Sequence, residues 1–143
     1  ITSPDILFLG QKDFQQCLIL TQLINSLKMP VELVMCPIYR EPHGLAMSSR
    51  NVRLNPQIRQ KAGAIYASLQ YAAAMINILT PQKIQQAATA ALNTIEGFNV
   101  DYFLLLNADN LKPIPPETPT NRIVIITAVI VDGVRLLDNM VIS

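Results

Sequence analysis

The chain has 143 residues, of which 50% are hydrophobic and 15% are charged, and its formal net charge is +1. This composition suits a chain that folds around a core and excludes an intrinsically disordered protein. The lack of any lysine or arginine block argues against a nucleic acid or an anionic membrane surface as the main partner, and no apolar stretch reaches the roughly 20 residues of a membrane span.

The first predicted elements are a strand, a glycine turn and a helix. The apolar run that ends at Leu9 predicts a strand over residues 5–9, covered on both faces. Gly10 permits a turn or the close approach of a ligand. Asp13 is the predicted N-cap of a helix over 14–27, and Gln16, three residues later, completes the spacing of a capping box.

The turn over residues 10–13 is a candidate phosphate site. In an open α/β sheet, ligands bind beyond the carboxyl ends of the strands. A helix N-terminus at that place presents unpaired N–H groups and a partial positive charge to an anion, and Lys12 adds a full charge. The alternative interpretation is an ordinary strand-to-helix turn with a surface lysine.

Pro30 ends the preceding helix. The mostly apolar run that follows predicts a second strand over 31–36. Strand, helix and strand then form one βαβ unit with parallel strands. After the second strand come two hydroxyls and a guanidinium, Ser48, Ser49 and Arg50. Hydroxyls donate to phosphate oxygens and arginine pairs with them bidentately, so this cluster suits a polyphosphate.

The alternative for this second cluster is a polar N-cap region with a solvated arginine. The two clusters follow neighbouring parallel strands, whose carboxyl ends meet at one edge of a sheet. We therefore expect them to share one ligand.

The remaining residues predict helices followed by a small antiparallel sheet. Asn55 and Thr80 each precede a proline, a cap-then-proline pattern that predicts helices over 57–79 and from 81 to Glu96, with Gly97 as the stop. Predicted strands cover 100–106, 122–131 and 134–137, with a proline-containing loop over 112–120. Asp132-Gly133 between two apolar runs predicts a hairpin turn.

Cys17 and Cys36 are the only cysteines, and His43 is the only histidine. Without a Cys-x-x-Cys pair or a histidine cluster, neither a protein metal site nor a disulfide framework is supported. We predict reduced thiols in a cytoplasmic protein, with both cysteines acting as small core hydrophobes.

Two segments resemble the pantothenate synthetase (pantoate–β-alanine ligase) family. They are residues 10–16, Gly-Gln-Lys-Asp-Phe-Gln-Gln, and residues 44–51, Gly-Leu-Ala-Met-Ser-Ser-Arg-Asn. Residues 107–111 and 135–139 are similar to later landmarks of the family, so the resemblance covers essentially the whole chain. It implies an α/β fold, with a Rossmann-like βαβ piece of a nucleotidyltransferase fold over 1–50 and a small α+β domain over 51–143.

The resemblance also implies an activity. An enzyme of this family adenylates pantoate with ATP and Mg²⁺, releasing pyrophosphate, and the amine of β-alanine then attacks the pantoyl-adenylate to give pantothenate and AMP. The implied partners are these small molecules, with no nucleic acid and no membrane. The full-length enzyme is expected to be a cytoplasmic homodimer.

Site residues follow by resemblance at the matching positions. Contacts with ATP are implied for Gly10, Gln11, Lys12, Asp13, Tyr39, Met47, Ser48, Ser49 and Arg50. The catalytic residues among them are Lys12, Ser48, Ser49 and Arg50, which would stabilise the charge that builds on the phosphates. Gln16 would hold pantoate.

Three departures from the family pattern limit what the chain is expected to do alone. Gln11 stands where glutamate is usual, and His43 where an acidic or amide residue is common. The family's His-x-Gly-His motif is absent, so the chain is similar to the C-terminal half of the enzyme. We predict negligible ligation by this chain alone, since half a site lacks the required orientation and charge stabilisation. The alternatives are a non-catalytic nucleotide-binding module and a purely structural fragment.

Overall fold

The computed structural model describes residues 3–114 and 122–142. The chain divides into two compact units, Ile1–Ile38 and Tyr39–Ser143. This division comes earlier than the predicted domain boundary between residues 50 and 51. The physical reason is that Arg40 and Glu41 form ion pairs with residues far along the second unit, which tie the segment 39–50 to it.

The first unit is a strand–helix–strand arrangement. It contains β1 (Ile6–Gly10), a 3₁₀ turn (Gln11–Asp13), α1 (Phe14–Ser26) and β2 (Glu32–Cys36). The two strands pair in parallel, with Ile6 opposite Glu32 and Gly10 opposite Cys36. The predicted parallel βαβ pairing is therefore confirmed.

The predicted burial of the first strand on both faces is wrong. Phe8 is 63% exposed and Ile6 is 45% exposed, whereas Leu7 and Leu9 are half-buried. A parallel sheet needs cover on both faces, and within its described residues the first unit has one helix, α1, to supply it. The core of the unit is correspondingly small.

The second unit packs helices on an antiparallel sheet. Its elements are a 3₁₀ turn (Ser49–Arg53), α2 (Pro56–Lys61), α3 (Ala64–Met75), α4 (Pro81–Asn93), β3 (Phe98–Asn107), β4 (Ile123–Val131) and β5 (Val134–Ile142). The strand order is β3-β4-β5. Its core joins α3 and α4 to the sheet, with Ile65, Leu69 and Ile125 fully buried. The predicted α+β arrangement is confirmed.

The hairpin turn and the two helix caps predicted for this unit are confirmed. Asp132 and Gly133 have φ of 49° and 76°, and they form the predicted hairpin turn. The side chains of Asn55 and Thr80 accept the capping hydrogen bonds of α2 and α4, also as predicted. Residues 115–120 of the predicted proline loop lie outside the described residues.

The single helix predicted over 57–79 is wrong, because the structure has two helices that meet at Gly63. Around Gly63 the backbone hydrogen bonds shorten to the three-residue step of a 3₁₀ helix, as in Gly63 N–H to Gln60 O at 3.2 Å. A Cβ built on Gly63 would lie 2.2 Å from the backbone oxygen of His43. The sequence period of α2 and α3 does not reveal this tertiary contact.

None of the helices in the described ranges is long and apolar enough to cross a membrane.

Candidate active site

The first group of predicted site residues lies on the turn between β1 and α1. Gly10 ends β1 with φ −73° and ψ 127°, a conformation open to any residue. Among the described residues, chain neighbours apart, no heavy atom lies within 4 Å of a Cβ built on Gly10. Neither backbone conformation nor packing in these residues requires a glycine, and the space beside it is open.

Lys12 and Asp13 belong to the 3₁₀ turn that leads into α1. Lys12 is half-buried, and both Asp13 and Gln16 are exposed. The predicted capping box is wrong, because Asp13 precedes α1 but makes no side-chain capping hydrogen bond. Its ψ of 56° differs from the extended backbone of a helix N-cap. The Asp13 carboxylate and the Gln16 amide therefore face solvent.

Cys17 lies beneath the turn. Its side chain is 1% exposed, and its thiol donates a hydrogen bond to Gly10 O at 3.4 Å. Burial raises the pKa of the Cys17 thiol, and the nearby Asp13 carboxylate raises it further. A protonated thiol in this position agrees with the predicted role as a small core hydrophobe. Cys36 is half-buried, and both cysteines are free.

The second group of predicted site residues follows a short hairpin. The N–H of Met47 donates to Tyr39 O at 2.9 Å, and Glu41 N–H donates to Leu45 O at 2.8 Å. Gly44 makes the turn with φ +98°, a conformation that favours glycine. The hairpin brings Tyr39, which is 77% exposed, beside the start of the Met47–Arg50 segment.

The Met47–Arg50 segment presents a hydroxyl and a cation to solvent. Ser48 caps the 3₁₀ turn, because its Oγ accepts a hydrogen bond from Arg50 N–H at 3.2 Å. A hydroxyl used as an acceptor keeps its own proton to donate. Ser49 and Arg50 are exposed, and the Arg50 guanidinium makes no hydrogen bond or ion pair with residues 3–114 or 122–142. This unpaired cation suits an anionic ligand.

Arg40 anchors the hairpin to β5. Its guanidinium forms two hydrogen bonds with the Asp138 carboxylate, at 2.6 and 2.9 Å, and a third with Gly44 O at 3.1 Å. It also lies over the Tyr66 ring, 3.7 Å from the centroid. The Asp138 side chain is only 2% exposed. This pair was not predicted from the sequence, because its members are 98 positions apart and carry no local signal.

Glu41 forms a second anchor. Its carboxylate accepts hydrogen bonds from Arg59, including Nη2 at 2.8 Å, and from Asn51 Nδ2 at 2.7 Å. The Asn51 amide also donates to Ala46 O at 3.1 Å, and Asn51 is 1% exposed. No role was predicted for Glu41 or Asn51 from the sequence. The available signal was the position of Asn51 at the end of the 44–51 motif, directly after Arg50.

The Glu41 anchor predicts a pH dependence of stability. Hydrogen bonds from Arg59 hold the pKa of Glu41 below its ordinary value of 4.5. A carboxylate with a lowered folded-state pKa stabilises the fold above its unfolded pKa, and that contribution is lost as pH falls through the folded pKa. We expect the stability difference between the unsubstituted chain and Glu41→Gln to be full near neutral pH and to shrink below about pH 4.5.

Urea unfolding followed by tyrosine fluorescence measures this difference in the second unit alone. All four tyrosines lie after residue 38, and the chain has no tryptophan. A difference that stays constant between neutral pH and pH 3 would contradict the expected role of Glu41.

The described residues offer no built metal site, since no group of three or more His, Cys, Asp or Glu residues within 3–114 and 122–142 comes together. The structure places Gly10–Asp13 on one turn of the first unit, with Gln16 on the first turns of α1. It places Tyr39 beside Met47–Arg50 in the second unit. That the two groups share one ligand stays a prediction.

The chain is similar in sequence to a known protein family and to named members of it. Residues 1–141 match the family described as Pantoate-beta-alanine ligase. The chain is 41% identical over 146 residues to a protein named pantothenate synthetase from Coprothermobacter proteolyticus, covering 100% of this chain and 50% of that protein. It is 39% identical over 144 residues to a pantothenate synthetase from Cytophaga hutchinsonii, covering 99% and 51%.

Solved structures agree with these relatives. The pantothenate synthetase of Thermus thermophilus matches with a TM-score of 0.86 and 32% identity, over 96% of this chain and 49% of that chain. A pantoate-beta-alanine ligase from Francisella tularensis, complexed with beta-gamma ATP and beta-alanine, matches with a TM-score of 0.67 and 28% identity, over 97% and 44%.

The fold likeness confirms the predicted class, a Rossmann-like βαβ piece followed by an α+β domain. The chain spans about half the length of the curated relatives it matches. Because the family match covers nearly all of its residues, the chain belongs to the pantoate–β-alanine ligase family.

Proposed function

We propose that this chain supplies the phosphate-binding part of a ligase that joins pantoate to β-alanine with ATP. The observation that carries the proposal is the pair of open turns in a chain of this family. One turn leaves free space beside Gly10. The other exposes the guanidinium of Arg50, which has no partner within the described ranges. Each turn by itself is suited to an anion such as a phosphate of ATP.

The proposed reaction has two steps. A carboxylate oxygen of pantoate attacks the α-phosphorus of ATP, and the bond to the β-phosphate oxygen breaks to release pyrophosphate. The amine of β-alanine then attacks the acyl carbon of the pantoyl-adenylate, loses a proton and displaces AMP. Negative charge grows on the α-phosphate and on pyrophosphate in the first step, so fixed cations and hydrogen-bond donors there accelerate it.

The roles of the residues follow from their positions. We propose that Lys12 and Arg50 contact the phosphates and that the hydroxyls of Ser48 and Ser49 donate to them. Tyr39, exposed beside Met47, would lie against the adenine. The remaining proposed contacts are Gly10 and Gln11 with the nucleotide, Asp13 with the ribose, and Gln16 with pantoate.

Magnesium fits this proposal as part of the substrate. The described residues form no metal cage, and Mg²⁺ is commonly bound by substrate phosphates with one or two carboxylates. The ion would enter as Mg·ATP and neutralise phosphate charge.

We propose that the chain alone binds Mg·ATP weakly and does not catalyse ligation. It spans about half of its relatives' length, and catalysis depends on groups that orient all reactants together. For the full-length protein we propose a cytoplasmic homodimer. Formation of AMP at an enzyme-like rate by this chain, given ATP, pantoate and β-alanine, would refute its inactivity.

A structural role is the second candidate, favoured by the small core of the first unit. Among its described residues only Phe14 and Cys17 are buried. In this alternative only the second unit folds stably. Limited proteolysis separates the two candidates, since cleavage confined to residues before Tyr39 favours the structural role.

Calorimetric titration with Mg·ATP tests the binding proposal. We expect Lys12→Ala and Arg50→Ala each to weaken binding at least about tenfold, the loss typical of one charge-assisted hydrogen bond. Lys83→Ala and Arg53→Ala are matched controls, because each removes the same charge from an exposed side chain outside the proposed site. If the controls weaken binding equally, the effect is one of net charge, and if the unsubstituted chain does not bind, it lacks an ATP site.

Gly10→Ala tests in the same titration whether the nucleotide uses the space beside Gly10, and it leaves the charge of the chain unchanged. The added methyl group meets no described atom within 4 Å, chain neighbours apart, and the backbone needs no positive φ. We therefore expect unchanged stability with weaker Mg·ATP binding, because the methyl group would fill the space that the nucleotide occupies.

A further inference from the structure

We propose that Asn51 and Glu41 are positioning residues that hold the Met47–Arg50 segment in its phosphate-binding conformation. This inference rests on the proposed function of the segment. Neither residue is assigned to contact ATP. Both act through the backbone that carries Ser48, Ser49 and Arg50.

The Asn51 side chain closes the segment on itself. Its Nδ2 donates to Ala46 O at 3.1 Å, and this one hydrogen bond spans the four residues of the Met47–Arg50 segment. The Asn51 backbone N–H also donates to Ser48 O at 3.0 Å. The residues immediately before and after the segment are therefore tied together. We call this arrangement of Asn51 and Ala46 the bracket.

The chemistry of the neighbours fixes the orientation of the Asn51 amide. Both atoms that face Nδ2, Ala46 O and Glu41 Oε1, only accept hydrogen bonds. The opposite orientation would direct the amide oxygen at two other oxygens. Because Asn51 is 1% exposed, water does not compete for these bonds. Its Oδ1 has no hydrogen-bond partner among the described residues, so the contacts of the Asn51 side chain are the two that Nδ2 donates.

Glu41 is held in turn by Arg59, so the bracket rests on α2. Arg59 Nε lies 3.0 and 2.9 Å from the two Glu41 oxygens, and Arg59 Nη2 lies 2.8 Å from Oε1. A planar guanidinium paired with both oxygens fixes the carboxylate plane as well as its position. Glu41 thereby presents Oε1 to Asn51 in one geometry.

The negative charge of Glu41 opposes ATP binding. A positioning role and a purely electrostatic effect of Glu41 therefore predict opposite changes in affinity when that charge is removed. A carboxylate near a phosphate site repels the ligand. Simple electrostatics therefore predicts that Glu41→Gln tightens Mg·ATP binding. Positioning predicts the opposite, because glutamine cannot pair with Arg59 through two charged oxygens. The sign of the change identifies the mechanism.

The test uses the 143-residue chain and titrates it with Mg·ATP. We expect Asn51→Asp to weaken binding about tenfold or more, since it keeps the shape of the side chain but replaces both amide donors with an acceptor. Asn93→Asp is the matched control. It adds the same charge in the same unit, and its side chain keeps the oxygen that accepts the hydrogen bond from Val100 N–H. We expect Glu41→Gln to weaken binding also.

Amide hydrogen exchange locates the effect. In Asn51→Asp and in Glu41→Gln, the amides of Met47 and Asn51 should exchange at least about tenfold faster than in the unsubstituted chain, while amides of the β3–β5 sheet keep their protection. If Asn51→Asp does not fold, Glu41→Gln decides the question. Faster exchange with unchanged affinity, or tighter binding by Glu41→Gln, would overturn the positioning role.

The outcomes for the two proposals are distinguishable. If the unsubstituted chain fails to bind Mg·ATP, the proposed function fails, and the inference fails with it. If Arg50→Ala weakens binding while Asn51→Asp and Glu41→Gln bind like the unsubstituted chain, the proposed function stands and the inference alone is wrong.

Discussion

Replacing Arg40 with methionine is expected to lower the free energy of unfolding of the second unit by about 3–5 kcal/mol, the loss usual when one partner of a buried ion pair is removed. Arg40 donates two hydrogen bonds to Asp138, whose side chain is 2% exposed. Without the guanidinium, the Asp138 carboxylate stays buried without its cation. The Tyr66 ring also loses its cation contact. Urea unfolding followed by tyrosine fluorescence measures the loss.

The chain offers a matched control for this substitution. Arg135 also forms two hydrogen bonds with an aspartate, Asp101, but both side chains are close to half exposed. Water screens such a pair, so Arg135→Met should cost less than about 1 kcal/mol. A loss in Arg40→Met no larger than in Arg135→Met would contradict the role of burial. Adding Asp138→Asn to Arg40→Met should recover part of the loss, because it removes the buried negative charge that the Arg40 guanidinium balances.

The Arg40–Asp138 pair also explains why the end of β5 could not be predicted from the sequence. The strand predicted over 134–137 continues in the structure to Ile142. Because Asp138 and Asn139 are polar, the apolar strand was predicted to end before them, but both are buried. What permits a buried carboxylate in β5 is a guanidinium 98 positions earlier. Local periodicity carries no information about such a partner.

Turns and caps were predictable because their physics is local. Asp132-Gly133 supplies two positive φ angles, which a tight hairpin turn requires. Asn55 and Thr80 supply the oxygens that accept the first free N–H groups of their helices. Asp13 had the spacing of a capping box with Gln16 but failed as a cap, because the chain enters α1 through a 3₁₀ turn that sequence spacing does not reveal.

The candidate site divides in the same way. The exposed side chains of the Met47–Arg50 segment could be identified from their chemistry, since hydroxyls and a guanidinium in sequence suit phosphate. The supports, Glu41 and Asn51, could not, because their roles depend on hydrogen bonds to Arg59 and Ala46 formed only in the folded unit. The family motif included Asn51 without saying what its side chain contacts.

Gly63→Ala is expected to destabilise the second unit by about 1–3 kcal/mol, the range for a core that must accommodate an extra methyl group. The entropy of the unfolded chain alone predicts the opposite sign, because alanine in place of glycine at an unstrained backbone conformation stabilises a fold by about 0.4–1 kcal/mol. Gly63 has φ −57°, so backbone conformation does not require a glycine. The new Cβ would lie 2.2 Å from His43 O, and a backbone atom cannot move aside as a side chain can.

Gln60→Ala is the control for this substitution, since Gln60 is exposed on α2 and its replacement should change stability by no more than about 0.5 kcal/mol. His43 lies in the hairpin that leads to Met47. Gly63→Ala should therefore shift the amide NMR signals of residues 40–47 more than Gln60→Ala does. A more stable Gly63→Ala variant with unshifted hairpin signals would contradict the contact. The expected result would mean that Gly63 is needed because it has no side chain. The hairpin that carries the candidate site can then pack against the point where α2 meets α3.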